Sequence, residues 1–173
     1  MPWTIPCAKP VSALPMLSSL SPASVFLFDE ETEDSSQQPD KAVPSAYAAF
    51  SVLVVDDDFL GREVASCFLE TLGVGSISIA VNGFEGLRML TTHAPFTLVL
   101  MDLVMPAMDG FACVRRLRAW EKQQGAAHVR VVAVSSLAEC PRVSEDCLEA
   151  GFDDVVPKPL LAWHMQMLLA ESA

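Results

Sequence analysis

From Phe50 onward, five short β-branched or apolar runs alternate with five segments whose apolar residues recur at helical spacing. Strands are predicted at Ser51–Val55, Ser76–Val81, Thr97–Met101, Val129–Val134 and Phe152–Val156. Helices are predicted at Phe59–Leu72, Phe84–Thr92, Gly110–Lys122, Pro141–Ala150 and Leu160–Leu169. Asp58 and Asp109 stand where N-caps belong, and Gly73 and Gly151 where helices stop. In the first helix the apolar stripe reads Leu60, Val64, Cys67, Phe68 and Leu72. In the third, Phe111, Val114 and Leu117 form the core face and Arg118 lies on the solvent side. The strands are apolar throughout rather than alternating, so both sheet faces are covered, the mark of a parallel sheet. Right-handed crossovers then leave an α/β doubly wound (βα)5 sandwich with strand order 2-1-3-4-5.

In such a sheet all the strand carboxyl ends share one edge, where ligand sites form. Four of the runs end in groups suited to phosphate chemistry: Asp56-Asp57-Asp58, Asp102, Ser135 and Lys158. Adjacent carboxylates repel one another, and a divalent cation relieves that; Mg²⁺ takes oxygen ligands, including one or two carboxylates. Asp102 closes an apolar run, where a carboxylate is costly without a partner. In order 2-1-3-4-5 it lies beside Asp56 and Asp57. A carboxylate can attack phosphorus to form an acyl phosphate. A hydroxyl at Ser135 can donate to a phosphoryl oxygen, and the Lys158 ammonium can pair with carboxylate or phosphate. Each residue alone is no more than a turn, cap or loop residue; the set of four is what points to a Mg²⁺-dependent aspartyl-phosphate site. Lys158-Pro159 is a candidate cis peptide bond.

Net charge is −11, which argues against sequence-independent nucleic-acid binding. Hydrophobic content of 51% allows a substantial core, yet no run has the length of a membrane span. The chain is therefore expected to be soluble and cytoplasmic, with nuclear entry open to it in a eukaryote. Five cysteines (Cys7, Cys67, Cys113, Cys140, Cys147) lack metal or disulfide spacing and read mostly as small core residues on helices. Residues 1–48 hold seven of the twelve prolines and the acidic run Asp29–Asp34. They read as a flexible tail ahead of a domain over residues 49–173. Within the tail, Val25-Phe26-Leu27-Phe28 could dock on a partner or on the domain. The chain stops just after the fifth helix, so no fused output domain is expected.

These motifs resemble the receiver domain of two-component response regulators and hybrid histidine kinases, a flavodoxin-like fold. The resemblance runs over about residues 50–171. It is carried by Val54-Val55-Asp56-Asp57, Ala80-Val81-Asn82-Gly83, Met101–Gly110, Ser135, and Gly151-Phe152-Asp153-Asp154 leading to Lys158-Pro159. It implies that Asp102 is the phosphoacceptor. Asp56, Asp57, Asp102 and the backbone carbonyl of Val104 would hold Mg²⁺. Ser135 and Lys158 would contact the phosphoryl group, and Met105-Pro106 and Asp109-Gly110 would shape the loop. It implies a histidine kinase or histidine phosphotransfer protein as donor, self-catalysed phosphotransfer, and usually autodephosphorylation. Output would pass to a downstream protein, and the fourth- and fifth-strand face is a candidate homodimer surface. Two positions depart. Val155 stands where the family commonly has Tyr or Phe, and a valine has no ring to swing between buried and exposed positions. Ser136 stands where many members have Ala.

Other readings compete. A pseudo-receiver interaction module would keep the fold and signal without phosphorylation. A small-phosphate hydrolase would need a cap insertion, which is absent between the strands, and a flavin site would need donors where the first loop is acidic. His93, His128 and His164 have no metal-ligand spacing and read as surface or partly packed residues. Arg115, Arg118 and Lys122 read as a solvated helix face, with partner docking as the alternative. Trp120 and Trp163 read as packing anchors.

Overall fold

The computed structural model describes residues 45–92 and 95–172. The acidic run, the Val25–Phe28 patch, Cys7 and His93 lie outside the described residues. Five parallel strands form one sheet: β1 (Ser51–Val55), β2 (Ser76–Ala80), β3 (Leu98–Asp102), β4 (Val131–Ser135) and β5 (Asp154–Pro157). Their order is β2-β1-β3-β4-β5, as the alternation of the sequence requires. The helices are α1 (Phe59–Thr71), α2 (Gly83–Thr92), α3 (Gly110–Gln124), α4 (Pro141–Ala150) and α5 (Ala162–Glu171). None is long and apolar enough to cross a membrane.

The unbroken apolar strands are explained by two cores, because successive side chains point to opposite faces. Leu53, Val55, Val99, Met101, Val131 and Ala133 pack against Leu90, Cys113, Leu117 and Cys147 of α2, α3 and α4. Val52, Val54, Leu98, Leu100, Val132 and Val134 pack against Ala65, Leu69, Met165 and Leu168 of α1 and α5. Burying each such Val or Leu contributes about 1.5–3 kcal/mol of transfer free energy. Asp58 caps α1 by accepting from the Gly61 N–H at 3.1 Å, and Asp109 caps α3 by accepting from Ala112 at 2.7 Å. Gly151 ends α4 at φ 102°, a conformation that favours glycine.

Several local expectations are corrected. The packed region reaches back to Ser45, whose Oγ donates to the Leu72 carbonyl at 2.6 Å while Tyr47 and Phe50 pack under α1. The buried stripe of α1 is Ala65, Phe68, Leu69 and Leu72; Leu60 and Cys67 face outward. The sequence carries two overlapping apolar stripes there, and the sheet takes the one with the small Ala65. Trp120 does pack against the α3-side core, whereas Trp163 is 56% exposed and rests on the His164 ring. His164 is buried, and its Nδ1 accepts from the Leu161 N–H at 3.1 Å, capping α5. Of the described cysteines, Cys113 and Cys147 are core residues and Cys67 and Cys140 are exposed. Burial pushes the Cys113 thiol up to about 12 and the Cys147 thiol to about 11, so both stay protonated and unreactive at neutral pH.

Arg118 is the largest departure from expectation. Its side chain is only 18% exposed and forms a knot between α3, α4 and the starts of β4 and β5. It donates to the carbonyls of Gly151 and Val129, at 2.8 and 2.9 Å, and to Glu121 and Asp153, each at 2.9 Å. Those two carboxylates in turn accept from the Val129 and Val131 N–H groups. The helical wheel alone does not reveal this, because three of the four acceptors lie outside α3, next to α4, β4 and β5.

Candidate functional site

The parallel register brings the ends of β1, β3, β4 and β5 to one edge of the sheet. Val55 pairs with Met101, so Asp56 emerges beside Asp102. Asp102 aligns with Val134, and Ser135 with Pro157, which sets Lys158 just beyond the end of β5. The Lys158 Nζ lies 2.8 Å from Asp56 Oδ2 and 2.8 Å from Asp102 Oδ2. One ammonium thus bridges two carboxylate side chains that are 8% and 11% exposed. Burial works against the charged amine. The hydrogen bonds and charges of Asp102 and Asp56 outweigh it, so the Lys158 ammonium is held above its ordinary pKa. The Lys158–Pro159 bond is cis.

Both buried carboxylates are also fixed by backbone. Asp56 Oδ1 accepts from the Asp58 N–H at 2.8 Å, and Asp102 Oδ1 from the Val104 N–H at 3.2 Å. Asp57 remains exposed at the mouth. Asp56, Asp57 and Asp102 each offer an oxygen, and the three oxygens lie within 4.8 Å of one another. Hard oxygen donors around a pocket of net negative charge suit Mg²⁺. The Val104 side chain is 74% exposed and its carbonyl accepts no hydrogen bond among the described residues. The loop after Asp102 folds tightly: a Cβ at Gly110 would collide with the Asp102 carbonyl.

Ser135 is placed differently from the other three. It is buried at the same edge, but its Oγ accepts from the Leu137 N–H at 3.1 Å and contacts neither carboxylate. Its carbonyl accepts from the Lys158 N–H at 3.0 Å, tying the two loops together. Val155 is partly buried against the α3-side core. A cleft of about 330 Å³ opens beside the carboxylates, between Leu60, Gly61 and Val64 of α1 and Pro159-Leu160.

Two further residues shape the site. Arg62 NH1 donates to the Asp56 carbonyl at 2.8 Å, anchoring the first loop to α1. A Cβ on Gly61 would sit 2.7 Å from Asp56 Oδ2, so glycine there makes room for the carboxylate. The sequence signal for Gly61 is a glycine in the first turn of a helix, which costs up to about 1 kcal/mol relative to Ala and so asks for a reason. Arg62 carries no comparable signal, because its acceptor is a backbone carbonyl.

This geometry can be set beside known proteins. Residues 52–169 match the response regulator receiver domain family. The chain belongs to that family. A receiver-containing relative, the peroxide stress-activated histidine kinase mak1 of Schizosaccharomyces pombe, is 32% identical over 127 residues. That stretch is 72% of this chain and 8% of the kinase, so the chain spans under a tenth of that relative's length. Among solved structures, the receiver domain of the Arabidopsis thaliana histidine kinase CKI1, complexed with Mg²⁺, superposes with TM-score 0.67 at 29% identity. The match covers 75% of this chain and 96% of that one. The co-crystal of Saccharomyces cerevisiae Ypd1 with the receiver domain of Ssk1 gives TM-score 0.66 at 25% identity, over 70% of this chain and 87% of that one. A Pseudomonas aeruginosa receiver with Mg²⁺ in its active-site cleft is 26% identical, with TM-score 0.62 over 70% of this chain and 95% of that one.

Proposed function

We propose that this receiver domain accepts a phosphoryl group on Asp102 from a phosphohistidine and acts as a phosphorelay switch or intermediate. The observation that carries this reading is the bridging of two buried carboxylates by one lysine, with a third carboxylate at the mouth. One Asp102 oxygen attacks phosphorus. The P–N bond of the donor breaks, and its electron pair stays on the imidazole nitrogen. Asp56, Asp57, Asp102 and the Val104 carbonyl would hold Mg²⁺, which would supply positive charge to offset the negative charge of the transferring group.

The remaining residues act by position. Lys158 already sits between Asp56 and Asp102, so its ammonium keeps one partner while turning the other N–H groups to phosphoryl oxygens. The Ser135 Oγ accepts from Leu137, which leaves its own proton free to donate to a phosphoryl oxygen. Donor partners are a histidine kinase or a phosphotransfer protein, consistent with the Ypd1–Ssk1 complex among the structural relatives.

The test is intact mass after incubation with Mg²⁺ and acetyl phosphate, for wild type and Asp102→Asn. A single Mg²⁺-dependent phosphoryl adduct, absent from the variant, is expected. If no adduct forms, and beryllium fluoride with Mg²⁺ gives no thermal stabilisation, the reading fails. A phosphorylation-independent interaction module then takes its place.

A further inference from the structure

The charged side chains are unevenly shared between the two faces. On the α1 and α5 side, Arg62 and Arg130 are both bound internally: Arg62 to the Asp56 carbonyl, and Arg130 to the Leu168 carbonyl and Glu171. Apart from Arg62, the cations that pair with no carboxylate among the described residues are Arg88 on α2, Arg115, Arg116 and Lys122 on α3, and Arg142 on α4. The exposed positions of α3 are Arg115, Arg116, Ala119, Lys122, Gln123 and Gln124, with no acid among them. Of the carboxylates on α2 and α3, Glu85 is engaged by the Val81 N–H and Glu121 by Arg118. A chain of net charge −11 thus presents one cationic strip on these two helices.

The strip has an apolar component on each flank. Arg116 lies over the Phe84 ring, 5.9 Å from its centroid, and Phe84 is 53% exposed. Arg115 lies 5.8 Å from the centroid of Phe111, which packs edge-on against Phe152. Ala119 keeps the surface beside the arginines low. α4 beyond it is acidic, with Glu145, Asp146 and Glu149, so a long polyanion would meet repulsion there. The strip follows a fifteen-residue helix, about 22 Å long, which an extended peptide of about seven residues spans.

We infer that the α2–α3 face docks a short acidic segment of a partner protein, with Asp or Glu side chains toward Arg88, Arg115, Arg116 and Lys122 and an apolar side chain against Phe84. Charge complementarity selects the occupant: four uncompensated cations call for carboxylates, and the exposed ring calls for an apolar residue among them. None of these side chains bonds to Lys158, Asp56 or Asp102, so the inference does not depend on phosphorylation of Asp102.

The experiment uses the full chain and a fluorescein-labelled seven-residue peptide of alternating Glu and Leu, read by fluorescence anisotropy. Saturable binding is expected, weakened by salt. In Arg88→Glu/Arg116→Glu, affinity should fall about tenfold or more, while Arg142→Glu on α4 changes it less than about twofold. Phe84→Ala should weaken binding with all charges kept. Circular dichroism of each variant confirms that these exposed substitutions leave the fold intact. The inference is overturned if the peptide fails to bind. It is overturned equally if Arg142→Glu weakens binding as much as the double variant, or if a single-stranded oligonucleotide of equal charge binds as tightly as the peptide.

Discussion

Replacing Lys158 with Met keeps the length and apolar stem of the side chain and removes the ammonium between Asp56 and Asp102. Their oxygens lie within 4.8 Å of each other in buried surroundings. At an effective dielectric constant of about 20, two negative charges at that distance repel by roughly 3–4 kcal/mol. Breaking a fully buried pair costs about 3–5 kcal/mol; the lysine side chain is 26% exposed, so water relieves part of this. The expected loss at pH 7 without divalent ions is about 2–4 kcal/mol. In a domain of this size that lowers Tm by roughly 8–15 °C.

Mg²⁺ supplies the missing charge. Its stabilisation follows the logarithm of concentration over Kd, so tighter binding gives a larger gain. The variant should therefore regain more stability from 10 mM Mg²⁺ than wild type does, while losing phosphotransfer. Urea denaturation of both proteins, with EDTA and with Mg²⁺, reads the stability differences, thermal melts read the Tm shift, and intact mass after acetyl phosphate reads phosphotransfer. Stability of the EDTA form within about 0.5 kcal/mol of wild type, or an equal Mg²⁺ gain in the two proteins, would refute the electrostatic account of the bridge.

Three further outcomes follow from the same geometry. Gly61→Ala, which by helix propensity alone would add about 1 kcal/mol, should add none and should weaken Mg²⁺ binding at least fivefold by calorimetry, because the new methyl meets Asp56 Oδ2 at 2.7 Å. Arg118→Lys keeps the charge but loses the planar fork that reaches four acceptors, and should cost about 2–3 kcal/mol in urea denaturation while leaving phosphorylation of Asp102 intact. The Lys158 pKa is raised in the folded state, so its stabilisation is fully present below the unfolded value of about 10.4 and is lost as pH rises through the folded value. The stability gap between wild type and Lys158→Met should accordingly hold from pH 8 to about 10 and narrow above that.

The sheet and the positions of the acidic edge were legible because each depends on local patterns. An apolar run of five residues buried on both faces looks the same wherever it sits, and the residue after it must emerge at the carboxyl edge. Asp56, Asp102 and Lys158 could be placed in that way, since the strand order follows from crossover handedness. Ser135 could be placed but not oriented: whether its hydroxyl faces the carboxylates or its own turn depends on the Leu137 N–H, which leaves no mark in the sequence. In α1 the same ambiguity shifted the buried stripe, because Leu60 and Val64 fit one apolar face as well as Ala65 and Leu69 fit the other. Leu60 and Val64 instead line the cleft beside the carboxylates.

Arg118 shows where such reading ends, and why. On a helix diagram it lies next to Arg115 and Lys122, and all three carry the same charge. What separates them is distance from the C-terminal end of α4 and from the starts of β4 and β5, where the Gly151 and Val129 carbonyls need donors. Buried backbone acceptors must be satisfied, but every residue type supplies the same carbonyl, so the demand is invisible until the chain is folded. Arg118 meets that demand and is withdrawn from the surface. Arg115, Arg116 and Lys122 meet no such demand and stay outside, and it is this division of otherwise similar cations that leaves the α2–α3 face charged.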